Sequence, residues 1–313
     1  MKKWKNSRIS GRLGLAYPII QGPFGRGMSS ALLAATVSNL GGLGSFGAND
    51  LAPADIIKVA NDIRKLTDKS FGLNLWVSTF DKGGDVLDDA NYNRVLELLK
   101  PYYRELGVTP PPKPNNKAQN FADQVAALIE SRPALFSFVF GIPSPEILRQ
   151  CRKKGIATAG AASTVNEAEA LEDAGVDIVV ASGFEAGGHR PSFLQPADES
   201  LVGTFSLVPQ IADKVNIPII AAGGIADYRG IAAALTLGAD AVQIGTAFLA
   251  CEESGAHPFH RDILLKQDTG NTGLSRAFTG RLVSAGRRAP ENVSVKTSSQ
   301  AVTPPITSLP FAR

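Results

Sequence analysis

One histidine in a glycine-rich segment is the side chain of this sequence best suited to proton transfer. Residues 183–190 read GFEAGGHR and directly follow the apolar run 176–182. The imidazole of His189 exchanges protons near neutral pH, and the adjacent Gly187 and Gly188 let a planar ligand approach the backbone. A surface histidine beside a tight turn has the same local pattern, so the surrounding elements must decide between a site and a turn.

Glycine-rich loops also follow the last two apolar runs. Gly223 and Gly224 come after residues 217–222, and Gly245 and Thr246 come after residues 239–244. Backbone N–H groups in such loops bind phosphate without a lysine, and the threonine adds a hydroxyl donor. Each loop alone is more typical of a turn, whereas two at neighbouring strand ends favour a phosphate site.

Polar and flat groups at the ends of the first three apolar runs suit the edges and face of a flavin ring. The sequence there reads QGPF at 21–24, SFG at 45–47 and NLW at 74–76. The candidate contacts are Gln21, Gly22, Pro23, Phe24 and Asn74. Asn74 alone is also typical of an amide that is hydrogen-bonded at a strand end.

Eight short apolar runs, most followed by glycine or proline and a helical pattern, must position these residues. They are residues 18–21, 42–46, 71–77, 135–140, 155–159, 176–182, 217–222 and 239–244. This alternation predicts an α/β protein with a parallel (β/α)8 TIM barrel, whose sites form at the carboxyl ends of the strands. His189 then lies on the same face as the glycine loops. The alternative, an open doubly wound sheet, more often has G-x-G-x-x-G after its first strand, where this chain has QGPFG.

Two regions interrupt the alternation. Residues 80–116 contain a polyproline stretch and a helical pattern over 95–103, which predicts an insertion after the third strand that covers the barrel mouth. We therefore expect residues 1–280 to form the barrel, whose core begins by about residue 17. Residues 281–313 are rich in Arg, Ser, Thr and Pro and are expected to wrap the surface or be disordered.

Composition excludes several classes of protein. The 313 residues carry a formal net charge of +3 without a basic stripe, so no nucleic-acid partner is expected. No apolar run is long enough to span a bilayer and no secretory signal is present, so a cytoplasmic location is expected. With two cysteines, neither a disulfide scaffold nor a cysteine-rich metal site is expected. His257 and His260 lack a third ligand nearby, and Pro258 between them predicts a loop rather than a metal site.

The chain resembles the nitronate monooxygenases, formerly called 2-nitropropane dioxygenases, from about residue 15 to residue 282. The matching motifs are QGP at 21–23, Asn74 after its apolar run, SGFEAGGHR at 182–190, GGIAD at 223–227, VQIGTAFL at 242–249 and RAFTGR at 276–281. The glycine motifs occur in many phosphate-binding barrels, whereas EAGGHR combined with them is much more specific. Val139 stands where many relatives carry a second histidine, and Ser182 where many carry glutamine.

The resemblance implies an FMN-dependent, NAD(P)H-independent oxidation of alkyl nitronates by O2 to a carbonyl compound and nitrite. His189 would remove the acidic α-proton of a neutral nitroalkane or, when protonated, hold the anionic nitronate. Glu185 is interpreted as structural. The residues that would contact FMN are Gln21, Gly22, Pro23, Phe24, Asn74, Ser182, Gly187, Gly188, Gly223, Gly224, Gly245 and Thr246.

Two other functions remain open at this point. A flavin-dependent enoyl-acyl carrier protein reductase or quinone reductase has a similar barrel and GGH loop, but it would consume NAD(P)H. A flavin- or phosphate-binding barrel without catalytic activity is the second alternative. The small-molecule substrate and O2 are the expected partners, and the sequence leaves the oligomeric state open, with a homodimer among the options.

Overall fold

The structure is a computed structural model that describes residues 7–77, 89–113, 119–266, 272–276 and 281–286. The chain divides into two compact units. The first unit comprises residues 1–80 and 119–268, and the second comprises residues 81–118 and 269–313.

The first unit contains one closed sheet of eight parallel strands. The strands are β1 (Ile19–Gln21), β2 (Gly44–Gly47), β3 (Phe71–Trp76), β4 (Leu135–Val139), β5 (Ala157–Ala162), β6 (Ile178–Ser182), β7 (Ile219–Ala222) and β8 (Ala241–Ile244). Their order is β1-β8-β7-β6-β5-β4-β3-β2. The sheet closes because Leu43, just before β2, donates to the Ile19 carbonyl at 2.9 Å and accepts from the Gln21 N–H at 2.9 Å. The predicted TIM barrel is confirmed, and each predicted strand is present.

Helices alternate with these strands along the chain. They are α1 (Arg8–Leu13), α2 (Ala31–Asn39), α3 (Pro53–Arg64), α4 (Asp89–Glu105), α5 (Phe121–Ser131), α6 (Pro145–Lys153), α7 (Val165–Asp173), α8 (Thr204–Ala212), α9 (Tyr228–Thr236), α10 (Thr246–Leu249) and α11 (Pro258–Lys266). None of the helices in the described parts of the chain has the length and apolar character needed to cross a membrane.

Hydroxyl and carboxylate caps set where several helices begin. Ser144 and Thr164 each accept a backbone hydrogen bond at the start of α6 and α7. The loop predicted around Pro258 is wrong, because Pro258 is the first residue of α11. Proline is favoured at that position, where its fixed φ suits a helix and its missing N–H would have no partner in the helix.

Side chains of each strand alternate between the barrel interior and the surrounding helices. On β4, Leu135 and Val139 belong to the inner apolar cluster, whereas Phe136 and Phe138 belong to the cluster beneath the helices. The inner face of β5 consists of alanines, at positions 157, 159 and 161. Strand β5 therefore contributes little side-chain volume to the barrel interior.

Helix α1 closes the amino-terminal end of the barrel. Ile9 and Leu13 are 0% and 4% exposed and pack with the inner cluster, and Arg8 pairs with Asp240 at 2.6 Å. The buried core therefore already includes Ile9 and Leu13, ahead of the first strand. Helix α1 has only six residues; Ser7 is its N-cap, and Gly14, which follows it, adopts the left-handed conformation.

The second unit contains α4 and an antiparallel hairpin. The hairpin strands are β9 (Thr272–Ser275) and β10 (Val283–Gly286), paired from Thr272 with Gly286 to Ser275 with Val283. The helical pattern at 95–103 lies inside α4. The remaining parts of the predicted insertion and tail, residues 80–88, 114–116 and 287–313, lie outside the described residues. The roles of a lid and of a surface-wrapping tail stay predictions.

Candidate active site

The predicted site residues all belong to the first unit and lie at or near the carboxyl ends of five barrel strands. Gln21, Asn74 and Ser182 lie within β1, β3 and β6, and the segments after β1, β6, β7 and β8 carry the others. They are Gln21, Gly22, Pro23, Phe24, Asn74, Ser182, Gly187, Gly188, His189, Gly223, Gly224, Gly245 and Thr246. Convergence at this end of the barrel is the geometry that enzymes of this architecture use.

The imidazole of His189 packs against two aromatic rings. Its ring centroid lies 5.1 Å from that of Trp76 and 6.1 Å from that of Phe140, with edge-to-face geometry in both cases. Trp76 and Phe140 contact each other at 5.1 Å. Trp76 ends β3 and Phe140 follows β4, so three strand ends fix the orientation of the imidazole. The sequence analysis did not identify Phe140 as a site residue. The only signal for it was a phenylalanine followed by glycine at the end of an apolar run.

Phe140 occupies an uncommon backbone conformation. Its φ is +66°, although it is a bulky residue without the freedom of glycine, and its side chain is only 5% exposed. Left-handed conformations of bulky residues cost energy and persist where surrounding packing fixes them. This conformation directs the ring toward Trp76 and His189.

The environment of His189 favours its neutral form. Burial, assisted by the charge of Arg26, lowers the pKa of His189 to about 4 from an ordinary value of 6.5. Arg26 stands at a turn after β1, where the Met28 N–H donates to the Gly25 carbonyl at 3.2 Å. At neutral pH the imidazole is therefore unprotonated, which is the form that can act as a base.

Arg190 supports the loop that carries His189. Its side chain is 2% exposed, and its guanidinium donates to the carbonyls of Gly183 at 2.6 Å and Ala186 at 3.3 Å, and to Ser182 Oγ at 3.4 Å. Within the described chain its Nε has no hydrogen-bond partner. Burial lowers the pKa of Arg190, and the nearby Glu185 opposes this. The sequence includes Arg190 in its motif but does not indicate that the side chain is buried and bonded to the carbonyl groups of the same loop.

Glu185 is hydrogen-bonded to the first residue of helix α8. Its carboxylate accepts from the Thr204 N–H at 2.7 Å and from Thr204 Oγ1 at 2.8 Å. Burial raises the pKa of Glu185, but the hydrogen bonds from Thr204 outweigh it, so the pKa lies below its usual value. The carboxylate thus accepts a hydrogen bond from the first turn of α8, because the N-cap residue Gly203 has no side chain that could accept one.

Loops after β6, β7 and β8 approach one another closely. A Cβ added to Gly223 would lie 2.8 Å from the Ala186 nitrogen, and one added to Gly187 would lie 3.9 Å from Thr246 Oγ1. Among the described residues, the backbone N–H groups of Gly224, Gly245 and Thr246 donate no hydrogen bond. Unpaired N–H groups clustered at loops without side-chain bulk fit an oxyanion such as a phosphate.

The amides predicted at the first strand ends are hydrogen-bonded inside the protein. Gln21 is fully buried; its Oε1 accepts from the Ser45 N–H at 2.9 Å, and its Nε2 donates to the Gly22 carbonyl. Asn74 Nδ2 donates to Ser137 Oγ at 3.0 Å. These bonds tie β1 to β2 and β3 to β4. Flavin contact by these side chains stays a prediction.

The remaining positions near the mouth are small or apolar. A Cβ on Gly22 would lie 3.6 Å from the Phe24 ring, and one on Gly245 would lie 3.8 Å from it, so Phe24 lies beside both glycines. Val139 pairs with Trp76 in the sheet register and packs on the inner cluster. The position of the expected second histidine therefore carries an apolar side chain that faces the barrel interior.

Comparisons with known proteins agree in the type of protein that they find. A sequence profile of the family described as nitronate monooxygenase matches residues 6–305. The chain is 40% identical over 280 residues to a probable nitronate monooxygenase of Staphylococcus aureus (strain MSSA476), covering 89% of this chain and 78% of that protein.

Solved structures of similar proteins share the fold and part of the sequence. Nitroalkane oxidase from Streptomyces ansochromogenes superposes with a TM-score of 0.79 at 34% identity, over 88% of this chain and 78% of that one. FabK from Thermotoga maritima superposes with a TM-score of 0.69 at 31% identity, over 90% of this chain and 75% of that one.

Proposed function

The chain belongs to the nitronate monooxygenase family, a family of flavin oxidoreductases, and from this membership we propose that it oxidises alkyl nitronates with FMN and O2. The products are a carbonyl compound and nitrite. Atoms and charge balance when two nitronates and one O2 give two carbonyl compounds and two nitrite ions. NAD(P)H is not consumed.

The observation that carries this proposal is the neutral imidazole held beside the three glycine loops. His189 contacts Trp76 and Phe140, and the loop that bears it approaches Thr246. A base fixed next to an oxyanion-binding cluster suits a reaction in which a proton is removed close to a phosphate-bearing cofactor.

For neutral nitroalkanes, His189 accepts the α-proton. Its pKa of about 4 makes the imidazole a weak base in the ligand-free site. Removal of the proton creates a nitronate anion beside the new imidazolium, and an adjacent opposite charge stabilises the protonated imidazole. The basicity of His189 therefore increases as the product of proton transfer forms. Preformed nitronates bypass this step.

The residues present fit FMN. Unpaired N–H groups at Gly224, Gly245 and Thr246 would hold the phosphate, together with Gly223. Gln21, Gly22, Pro23, Phe24, Asn74, Ser182, Gly187 and Gly188 would line the remainder of the cofactor. Bound flavin supplies the transfer of electrons from the nitronate to O2. The homodimer and the cytoplasmic location stay predictions.

Nitrite release measures the proposed function directly. Purified protein should carry a yellow cofactor that mass spectrometry identifies as FMN, and it should release nitrite from propyl-2-nitronate in air. Under anaerobic conditions, NADH and NADPH should leave the flavin spectrum unchanged. Rapid bleaching by either nucleotide would favour a reductase. A yellow protein that releases no nitrite would favour a binding protein.

A further inference from the structure

We propose that Glu167 is a positioning residue for His189, because its carboxylate holds the chain segment that immediately follows the histidine. The two residues are distant in sequence. The functional consequence rests on the proposed role of His189 as a base, whereas the structural part does not.

Glu167 is a fully buried carboxylate that bridges two segments of the chain. It lies in the first turn of α7 and is 0% exposed. One oxygen, Oε2, accepts from the Ser163 N–H and Ser163 Oγ, each at 2.8 Å. The other, Oε1, accepts from the N–H groups of Phe193 at 2.6 Å and Leu194 at 3.1 Å. The carboxylate therefore joins the end of β5 to the chain just after the EAGGHR motif.

A hydroxyl pair strengthens the same junction. Ser163 Oγ and Ser192 Oγ lie 2.8 Å apart. The single hydroxyl proton of Ser163 is directed to Glu167, so the proton between the two serines comes from Ser192. Residues 192–194 thus contribute three donors, all directed to the Ser163–Glu167 pair.

His189 stands between two anchored points of its own chain. Upstream, Arg190 holds the carbonyls of Gly183 and Ala186. Downstream, Glu167 holds Phe193 and Leu194. Only residues 187–192 lie between these anchors, and they include the two glycines that give the backbone its freedom. Loss of the downstream anchor releases the chain that follows Arg190, so the position of His189 then depends on Arg190 and on the rings of Trp76 and Phe140 alone.

Glu167 acts through hydrogen bonds from neutral donors. It makes no ion pair with a cation among the described residues, and all four of its donors belong to Ser163, Phe193 and Leu194. An apolar side chain at the same place would pack α7 against the barrel but would leave the N–H groups of Phe193 and Leu194 unpaired. The acceptor is therefore suited to holding the loop in one conformation.

Glu167→Gln tests the proposal, with Glu169→Gln on the same helix as the matched control. In either orientation, the NH2 group of glutamine faces two donors and loses two hydrogen bonds. With the three histidines of the chain isotopically labelled, the His189 ring signal in the NMR spectrum should shift or broaden in Glu167→Gln and stay unchanged in Glu169→Gln. An unchanged His189 signal in Glu167→Gln overturns the proposal, whether or not the protein oxidises nitronates.

Kinetics provide the functional part of the test. Glu167→Gln should lower kcat/KM for neutral nitroethane by about tenfold to a hundredfold, because misplacement of a base by about 1 Å has effects of that size. Turnover of preformed ethylnitronate and FMN content should change little. In a His189→Asn background, the same substitution should add less than about a twofold loss.

Equal losses for both substrates, or a full additional loss in the His189→Asn background, would show a structural role only. If Glu167→Gln does not fold, Ser192→Ala removes one of the three donors and should give a smaller loss that is again selective for nitroethane. A Ser192→Ala protein with equal losses for both substrates also overturns the proposal. Failure of the wild-type protein to release nitrite from ethylnitronate would instead refute the proposed function and leave the NMR result decisive for positioning.

Discussion

The proton affinity of His189 depends on whether the bound substrate is charged or neutral. The ligand-free environment disfavours the imidazolium, since the ring is buried and Arg26 is nearby. An anionic nitronate reverses part of this effect, whereas a neutral nitroalkane does not. The two substrates therefore meet the same imidazole in different electrostatic settings.

Replacing His189 by asparagine should separate these substrates. General-base catalysis contributes about 10²–10⁴ in rate, so turnover of neutral nitroalkanes should fall by that order in His189→Asn. Preformed nitronates need no proton removal and should lose about tenfold or less. Nitrite release with matched nitroethane and ethylnitronate measures the ratio. An equal loss for both substrates would contradict the assignment of His189 as the base.

The same residue makes folding stability dependent on pH. The pKa of His189 is about 4 in the folded protein and 6.5 ordinarily, so the unfolded chain binds more protons between these values. Stability from this residue is fully present above pH 6.5 and is lost as pH falls toward 4. Between pH 7.5 and pH 5 the wild-type protein should lose about 2 kcal/mol more than His189→Asn. Urea unfolding of the ligand-free proteins measures this difference; an equal pH dependence would argue against a depressed pKa.

For single residues, the sequence indicates a functional role through residue type and local spacing, but it does not show which residues come into contact. His189 was identifiable because it follows glycines at a strand end. Phe140 and Glu167 were not, because their importance arises from contacts with a loop that is distant in sequence. Residue type does not show which carboxylate of a chain will be buried with four donors around it.

Helix α2 and strand β2 approach so closely that one glycine controls their packing. A Cβ on Gly44 would lie 1.8 Å from the Ala34 carbonyl oxygen and 2.6 Å from its Cα. Both neighbouring atoms are backbone, so neither can rotate away as a side chain would. The spacing of this helix and strand is set by the absence of a side chain.

Gly44→Ala and Gly11→Ala should therefore shift stability in opposite directions. The first forces α2 from β2 and should lower the free energy of unfolding by about 1–3 kcal/mol. Gly11 lies exposed in α1 with no atom within 4 Å of an added Cβ. Alanine there should raise stability by about 0.5–1 kcal/mol, because it restricts the unfolded chain. Thermal unfolding measures both changes, and a stable Gly44→Ala protein would contradict the close packing.

Elements were predictable where hydrophobic patterns were long enough. The barrel strands are short buried runs bounded by glycine or proline, and each was found from this pattern alone. Helix α1 was missed because its six residues carry only two buried apolar side chains, Ile9 and Leu13. Its place under the barrel depends on tertiary packing and on the pairing of Arg8 with Asp240.

The two ends of the barrel have different tasks. The amino-terminal end is sealed by α1, with Ile9 fully buried in the inner cluster. The carboxyl end bears the histidine and the glycine loops. This separation is typical of the architecture, in which one face supports stability and the other carries the reaction.

Ile9→Ala should reveal this separation. Truncating a fully buried isoleucine costs about 2–5 kcal/mol, so the Tm should fall clearly. The KM for nitronate and the affinity for FMN should not change, since the substitution lies at the opposite end of the strands. Thermal unfolding and steady-state kinetics on one preparation measure both. A changed KM with an unchanged Tm would contradict the assignment of α1 as a helix that stabilises the amino-terminal end of the barrel.

Closure of the sheet has a consequence for how the protein is made. Strand β1 is among the first elements to leave the ribosome, yet its partner β8 is the last barrel strand to be synthesised, and Ile19 pairs with Val242. Until residue 241 emerges, one edge of β1 has no strand to bind, and exposed edges invite pairing with other chains. Pairings of such long separation form slowly. The period in which this edge can pair with other chains therefore falls within translation, before the barrel has closed.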